Sequence, residues 1–201
     1  MKNNIVIPLF ILLMSGCASQ KETHWADMSS NVGLNEETLR VQCEKIECSY
    51  DNLKGSVIAV AEAEENFDPL SLFSDTRKVP ITVMEYRWES GTNKVRVGTS
   101  VITKQSELFK RAEIYVGREM VAELSEPLLR EISYIDKKFR EEYKDTIVGD
   151  ISIDVAKVIA DAPSEAVTVR FYSQSKTSDV KLPPTHNLAS LVSLAESDVS
   201  Q

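Results

Sequence analysis

Histidine is scarce in this chain. Only His24 and His186 occur in 201 residues, and neither has a carboxylate or cysteine at metal-ligand spacing. That removes the commonest general base and metal ligand from most of the sequence, and both residues read as solvated polar side chains. Glycine is also sparse, at seven residues, and no Gly-rich phosphate loop or dinucleotide fingerprint is present. G-x-S-x-G, H-E-x-x-H and EF-hand loops are absent too, which leaves the motif-bearing hydrolases, zincins and tight calcium sites without support. No residue set stands out as catalytic or metal-binding, and no cofactor is implied. Cations are in the minority, 23 Lys and Arg against 31 Asp and Glu, for a formal charge of -8 and a pI near 4.9. Such a surface repels a phosphate backbone, so nucleic acid is not an expected partner. No internal repeat or low-complexity tract is visible.

Long apolar runs are missing as well. The longest, Ile5 to Met14, is interrupted by Pro8. As a helix it would rise about 15 Å, roughly half the hydrocarbon thickness of a bilayer. It follows Met1-Lys2-Asn3-Asn4 and ends in the small residues Ser15 and Gly16, the form of a signal peptide. Met14-Ser15-Gly16-Cys17, with Leu13 just upstream, resembles the lipobox of bacterial lipoproteins. The resemblance covers residues 1–17 only. It implies cleavage before Cys17, diacylglycerol on its sulfur and acylation of the new amino terminus. Two or three acyl chains exceed what stable anchoring requires. Ala18 stands where an Asp would resemble the inner-membrane retention signal, so the implied address is the outer membrane, with the domain facing the periplasm. Cleavage removes Lys2 and leaves the mature chain more acidic, so its contact with membrane should be the lipid alone.

What remains has 42% hydrophobic and 27% charged residues, ordinary values for one globular domain. The expected division is a signal peptide over 1–16, a lipidated cysteine and flexible tether over 17–35, and a single domain over 36–201. Cys43 and Cys48 are the remaining cysteines. Export to an oxidising compartment makes a disulfide between them the expected state. Leu39, Val41 and Cys43 on one flank, with Cys48 and Tyr50 on the other, suggest a hairpin with "EKIE" at its tip.

Further strands are expected at Ser56 to Ala61, before an acidic stretch, and in the hairpin "PITVMEYRWES"–"KVRVGTSVI". There Thr82, Met84, Tyr86 and Trp88 share one face, and Val95, Val97, Thr99 and Val101 share another. "FKRAEIYVGREMVAEL" reads as two strands about Gly117. Leu128 to Tyr143 fits either a helix or a strand, with strand favoured by its context. "KDTIVGDIS" is strand-like, and Ser152 can cap a helix through Val155, Val158 and Ile159 that stops at Ala162-Pro163. "AVTVRFYS" alternates, with Val167, Val169 and Phe171 inward. "KTSDVKLPP" returns as a strand. A final helix sets Leu188, Leu191, Val192 and Ala195 on one stripe. The fold class is α+β: an antiparallel β-sheet with two or three helices, one of them C-terminal. In pattern alone this ending loosely resembles periplasmic lipoprotein domains of uncharacterised function, and the likeness carries no site residues.

Carboxylates cluster at Glu62, Glu64, Glu65 and Asp68, and again at Asp150 and Asp154. The first group lacks calcium-loop spacing, and the second suits a helix N-terminus. One cationic feature stands above this background. Arg87, Lys94 and Arg96 should share the outer face of the hairpin sheet, and Arg170 should lie on the same side. Four cations on an acidic protein form a candidate binding face for a carboxylate-rich partner, a polysaccharide or a cell-wall carboxylate, against the plainer reading that long cationic stems cover a sheet. The expected function is a lipid-anchored envelope binding or accessory module, with an envelope protein or cell-wall partner. The alternative is a periplasmic hydrolase acting on cell-wall or exported substrates, for which Ser-type hydrolysis would need His186 as its base.

Overall fold

The computed structural model describes residues 25–63, 81–103, 108–134, 141–163, 166–182 and 186–199. The signal peptide, Cys17, His24 and the Glu64, Glu65 and Asp68 carboxylates lie outside these residues.

Two antiparallel sheets and four helices make an α+β domain among the described residues. In chain order these are α1 (Trp25–Val32), α2 (Glu36–Cys43), β1 (Glu47–Asp51), β2 (Ser56–Ala63), β3 (Ile81–Glu89), β4 (Lys94–Thr103), β5 (Arg111–Val116), β6 (Glu119–Leu124), β7 (Glu126–Tyr134), β8 (Glu141–Ser152), α3 (Ile153–Ala160), β9 (Val167–Tyr172), β10 (Thr177–Lys181) and α4 (His186–Val199). One sheet has six strands in the order β1-β2-β3-β4-β8-β7, the other four in the order β10-β9-β5-β6.

Period-two patterning builds the larger sheet. Met84, Tyr86 and Trp88 of β3 are fully buried, as are Val57 and Ala59 of β2 and Val95, Val97, Thr99 and Val101 of β4. Strands β3 and β4 pair so that Tyr86 faces Val97 and Trp88 faces Val95, which joins their apolar sets on one side. Helix α4 covers that side against β2 and β3 and packs on α2 and α3, through Leu188, Leu191, Val192, Leu194 and Ala195. The smaller sheet turns Ala112, Ile114, Val167, Val169 and Phe171 into the same core. The two sheets meet closely at Gly149: a Cβ there would lie 2.9 Å from Leu124 Cδ2 and 3.2 Å from Leu124 Cα.

Several expectations change. Residues 36–43 form a helix rather than the strand read from Leu39, Val41 and Cys43. The Asn35 side chain accepts the Thr38 N–H at 3.1 Å, and Glu36 and Glu37 occupy the first turn, both favourable at a helix N-terminus. "EKIE" therefore links a helix to a strand instead of tipping a hairpin. The disulfide stands: Cys43 and Cys48 are bonded, with Cα atoms 5.5 Å apart. The stretch expected as tether is partly structural, because α1 spans Trp25–Val32 and Met28 and Leu34 are buried in the core. The described residues of the ambiguous segment Leu128 to Tyr143 are extended, in β7 and β8, and 135–140 lie outside the described residues. Ser152 caps α3 by accepting the Val155 N–H at 3.2 Å, but Val158 points to solvent while Ile153, Ala156 and Ile159 face the core.

Candidate functional site

The alternation that buries Tyr86 and Trp88 sends Arg87 outward, and Arg96 follows from the same register on β4. The two arginines are direct cross-strand partners. Lys94 begins β4 two residues before Arg96 and is exposed on the same face. Together with Glu89, Asn93 and Asp150 these cations line an open depression of about 600 Å³ at the hairpin end of the sheet.

Its groups are unequally engaged. Arg96 donates from Nη1 to Asp150 Oδ1 at 3.1 Å and from Nη2 to Glu126 Oε2 at 2.9 Å, and the Glu126 hydrogen bond leads the effects that raise its pKa. Glu89 accepts from Lys54 Nζ at 3.1 Å and from Ser56 Oγ at 2.9 Å. Those two hydrogen bonds, then the charges of Lys54 and Arg87, hold its carboxyl below the usual range against desolvation. Arg87, Lys94 and the Asn93 amide have no hydrogen-bond or ion-pair partner among the described residues. Neither cation is held in a close ion pair, and Arg87 acts on Glu89 only through its charge, beside carboxylates already committed by hydrogen bonds.

The hairpin tip that walls the depression is firmly held. Gly91, at φ +80°, supplies the left-handed turn that L side chains rarely adopt. Its N–H donates to Asp198 Oδ2 on α4 at 2.6 Å. The Trp88 indole N–H donates to the Thr92 carbonyl at 3.1 Å, and the Thr92 hydroxyl to the Glu89 carbonyl at 2.6 Å. The C-terminal helix and a buried tryptophan thus fix the geometry of an exposed turn.

Arg170 does not join this face. It belongs to β9 in the four-stranded sheet, where Nε and Nη2 donate to Asp179 Oδ1 and Oδ2 at 2.7 Å each. It is part of a second polar cluster that sequence reasoning missed. Glu113 of β5, only 7% exposed, accepts the hydroxyls of Tyr115 and Tyr172 at 2.5 Å each and lies 3.3 Å from Arg111. The Arg111 guanidinium stacks over Tyr172 at 4.1 Å, and Arg170 over Tyr115 at 5.3 Å. Desolvation pushes the Glu113 carboxyl up, but the two phenol hydrogen bonds and the charges of Arg111 and Arg170 outweigh it and hold the pKa low. The Tyr115 phenol is pushed up to about 12, chiefly by its hydrogen bond to Glu113. Glu113 and both phenols are hydrogen-bonded within the cluster, and Arg170 is paired with Asp179 beside it, which ties β5, β9 and β10 together. The signal was present in the alternations Arg111-Glu113-Tyr115 and Arg170-Tyr172. Their meeting depends on the β5–β9 pairing of strands more than fifty residues apart in sequence.

A third charged centre joins the strands near the sheet's far end. Asp145, 2% exposed, accepts from Arg130 Nε at 2.8 Å, Arg130 Nη2 at 3.2 Å and the Phe109 N–H at 3.0 Å. No group of three potential metal ligands occurs among the described residues. His186 opens α4, and its side chain lies outside the described residues. No helix among the described residues is long and apolar enough to cross a membrane.

Compared with protein-family models, curated proteins and solved structures, the chain matches none.

Proposed function

We propose that this protein is an envelope lipoprotein, anchored to the outer membrane by acyl chains on Cys17, whose domain acts as a binding or accessory module. The observation that carries the binding reading is the pair Arg87 and Lys94, without hydrogen bond or close ion pair among the described residues, in an open depression whose carboxylates are already engaged. Charges left unpaired on a fixed surface are available to a partner, and they steer an oppositely charged one. The lipobox-like Met14-Ser15-Gly16-Cys17 supports the address, and the Cys43–Cys48 disulfide agrees with an oxidising compartment.

Two measurements test this reading. In cells, the full-length chain should fractionate with outer membranes and carry acyl mass on its Cys17 peptide, and Cys17→Ser should release it to the soluble fraction. Crosslinking in intact envelopes, followed by mass spectrometry, should capture a recurrent protein or cell-wall partner. Unmodified Cys17, or a Cys17→Ser chain that fractionates unchanged, would refute the anchor.

A further inference from the structure

We propose that the depression between Arg87, Lys94 and Arg96 binds the carboxylate of an acidic saccharide, a sugar chain carrying uronate-type groups. This rests on the reading of that face as the binding surface and names its ligand class.

The register supplies the first argument. Arg87 stands directly opposite Arg96, and like charges facing each other across an antiparallel pair are destabilising. Asp150 and Glu126 relieve Arg96, while Arg87 keeps its charge without a close counter-ion. Lys94 adds a third cation at the same rim. An oxyanion lodged between Arg87 and Lys94 removes that repulsion. The planar guanidinium fork takes a carboxylate bidentately while the ammonium acts as a mobile point charge.

The lining then selects among anions. Glu89 and Asp150 border the same depression, so a densely charged ligand such as a polyphosphate or an acidic peptide would meet repulsion beside each attraction. A saccharide spaces its carboxylates with neutral, hydroxylated rings. The unpartnered Asn93 amide offers both donors and an acceptor to such hydroxyls, and bordering carboxylate oxygens can accept from them. The depression is open, and its volume of about 600 Å³ suits a short stretch of chain laid across it. The turn is fixed from behind by the Gly91–Asp198 and Trp88–Thr92 hydrogen bonds, so little ordering is needed on binding.

The test is calorimetric titration of the full-length protein in detergent micelles with a galacturonate trisaccharide, its methyl-esterified counterpart, hexaglutamate and inorganic phosphate. The galacturonate should bind and weaken as salt rises, because an exposed charge contact is screened over about 10 Å at 0.1 M salt. The ester should not bind measurably. Arg87→Ser/Lys94→Ser should weaken the galacturonate about tenfold or more, as loss of charge-assisted contacts does, while Arg170→Ser on the other sheet leaves it unchanged. Neither Arg87 nor Lys94 makes a hydrogen bond or close ion pair among the described residues, and loss of Arg87 relieves its repulsion with Arg96, so the double variant should keep the wild-type circular dichroism and melt no lower than wild type. Galacturonate that fails to bind, or that binds the double variant equally well, overturns the site. Hexaglutamate or phosphate binding as tightly as galacturonate overturns the saccharide assignment. These titrations do not depend on Cys17, so failure of the anchor and failure of the site are separately visible.

Discussion

Asp145 shows how much a single side chain can carry here. It is buried at the junction of β7, β8 and the approach to β5, and it satisfies the Arg130 guanidinium and the Phe109 N–H together. Replacing it with Ala removes a carboxylate that accepts twice from a partly buried arginine and leaves a buried N–H without its acceptor. Breaking a buried pair from one side costs about 3–5 kcal/mol, so Asp145→Ala should lower the unfolding free energy by about 3 kcal/mol in urea denaturation. A loss below about 1 kcal/mol would place this contact among surface ion pairs instead. Gly149 is the opposite case, a residue whose value lies in having no side chain. An added methyl would meet the Leu124 backbone and side chain where the two sheets touch, and overpacking of this kind costs about 1–3 kcal/mol. Gly149→Ala should therefore shift the urea midpoint downward, whereas Gly98→Ala, whose Cβ would meet Val148 at an ordinary 3.7 Å, should shift it far less.

At the scale of elements, the Cys43–Cys48 disulfide ties the end of α2 to β1 across a separation of five residues. So short a loop restricts the unfolded chain only modestly, by about 2 kcal/mol on the chain-entropy model. The Cys43→Ser/Cys48→Ser double variant should fold and melt at a lower temperature, with reduced wild-type protein matching it. A double variant that melts with the wild type would show that the bridge contributes nothing to stability. The same region marks the limit of local pattern. Strands β3, β4, β5 and β9 were legible because their alternation runs for six or more residues, long enough to separate period two from period 3.6. In α2 only three apolar positions were available, Leu39, Val41 and Cys43, and only Leu39 is fully buried. The deciding evidence was the cap at Asn35 with acids after it, a signal of a few atoms rather than of a period. The candidate site was half legible for a related reason. Arg87, Lys94 and Arg96 share one hairpin, whose register local spacing sets. Arg170 was misplaced because local alternation says which side of a strand a residue takes, not which sheet the strand joins.

For the molecule as a whole, acid should be the destabilising direction, and the Glu113 cluster makes that testable. The carboxyls of Glu113, Glu89 and Asp179 are all held below their ordinary values in the folded chain. Near pH 4 the unfolded chain therefore binds more protons than the folded one, and stability rises with pH in that range. Their contribution is complete above the unfolded values and is lost as pH falls through the folded ones, so thermal midpoints should be level near neutrality and decline below about pH 5. Glu113→Gln should flatten part of that decline. The alkaline side has the reverse sign. Tyr115 is raised to about 12 by its hydrogen bond to Glu113, so its contribution is whole below its unfolded value and disappears as pH climbs through the folded one. Absorbance titration of the tyrosines in wild type should leave this phenol protonated beyond the ordinary range. In Glu113→Gln one tyrosine should ionise earlier, because a neutral amide no longer favours the protonated phenol as the carboxylate does. Tyr86, raised by burial alone, should not move and serves as the internal control. If the Glu113→Gln titration curve overlays that of wild type, the carboxylate is not what holds the Tyr115 proton, and the polar cluster on the four-stranded sheet is not a coupled unit.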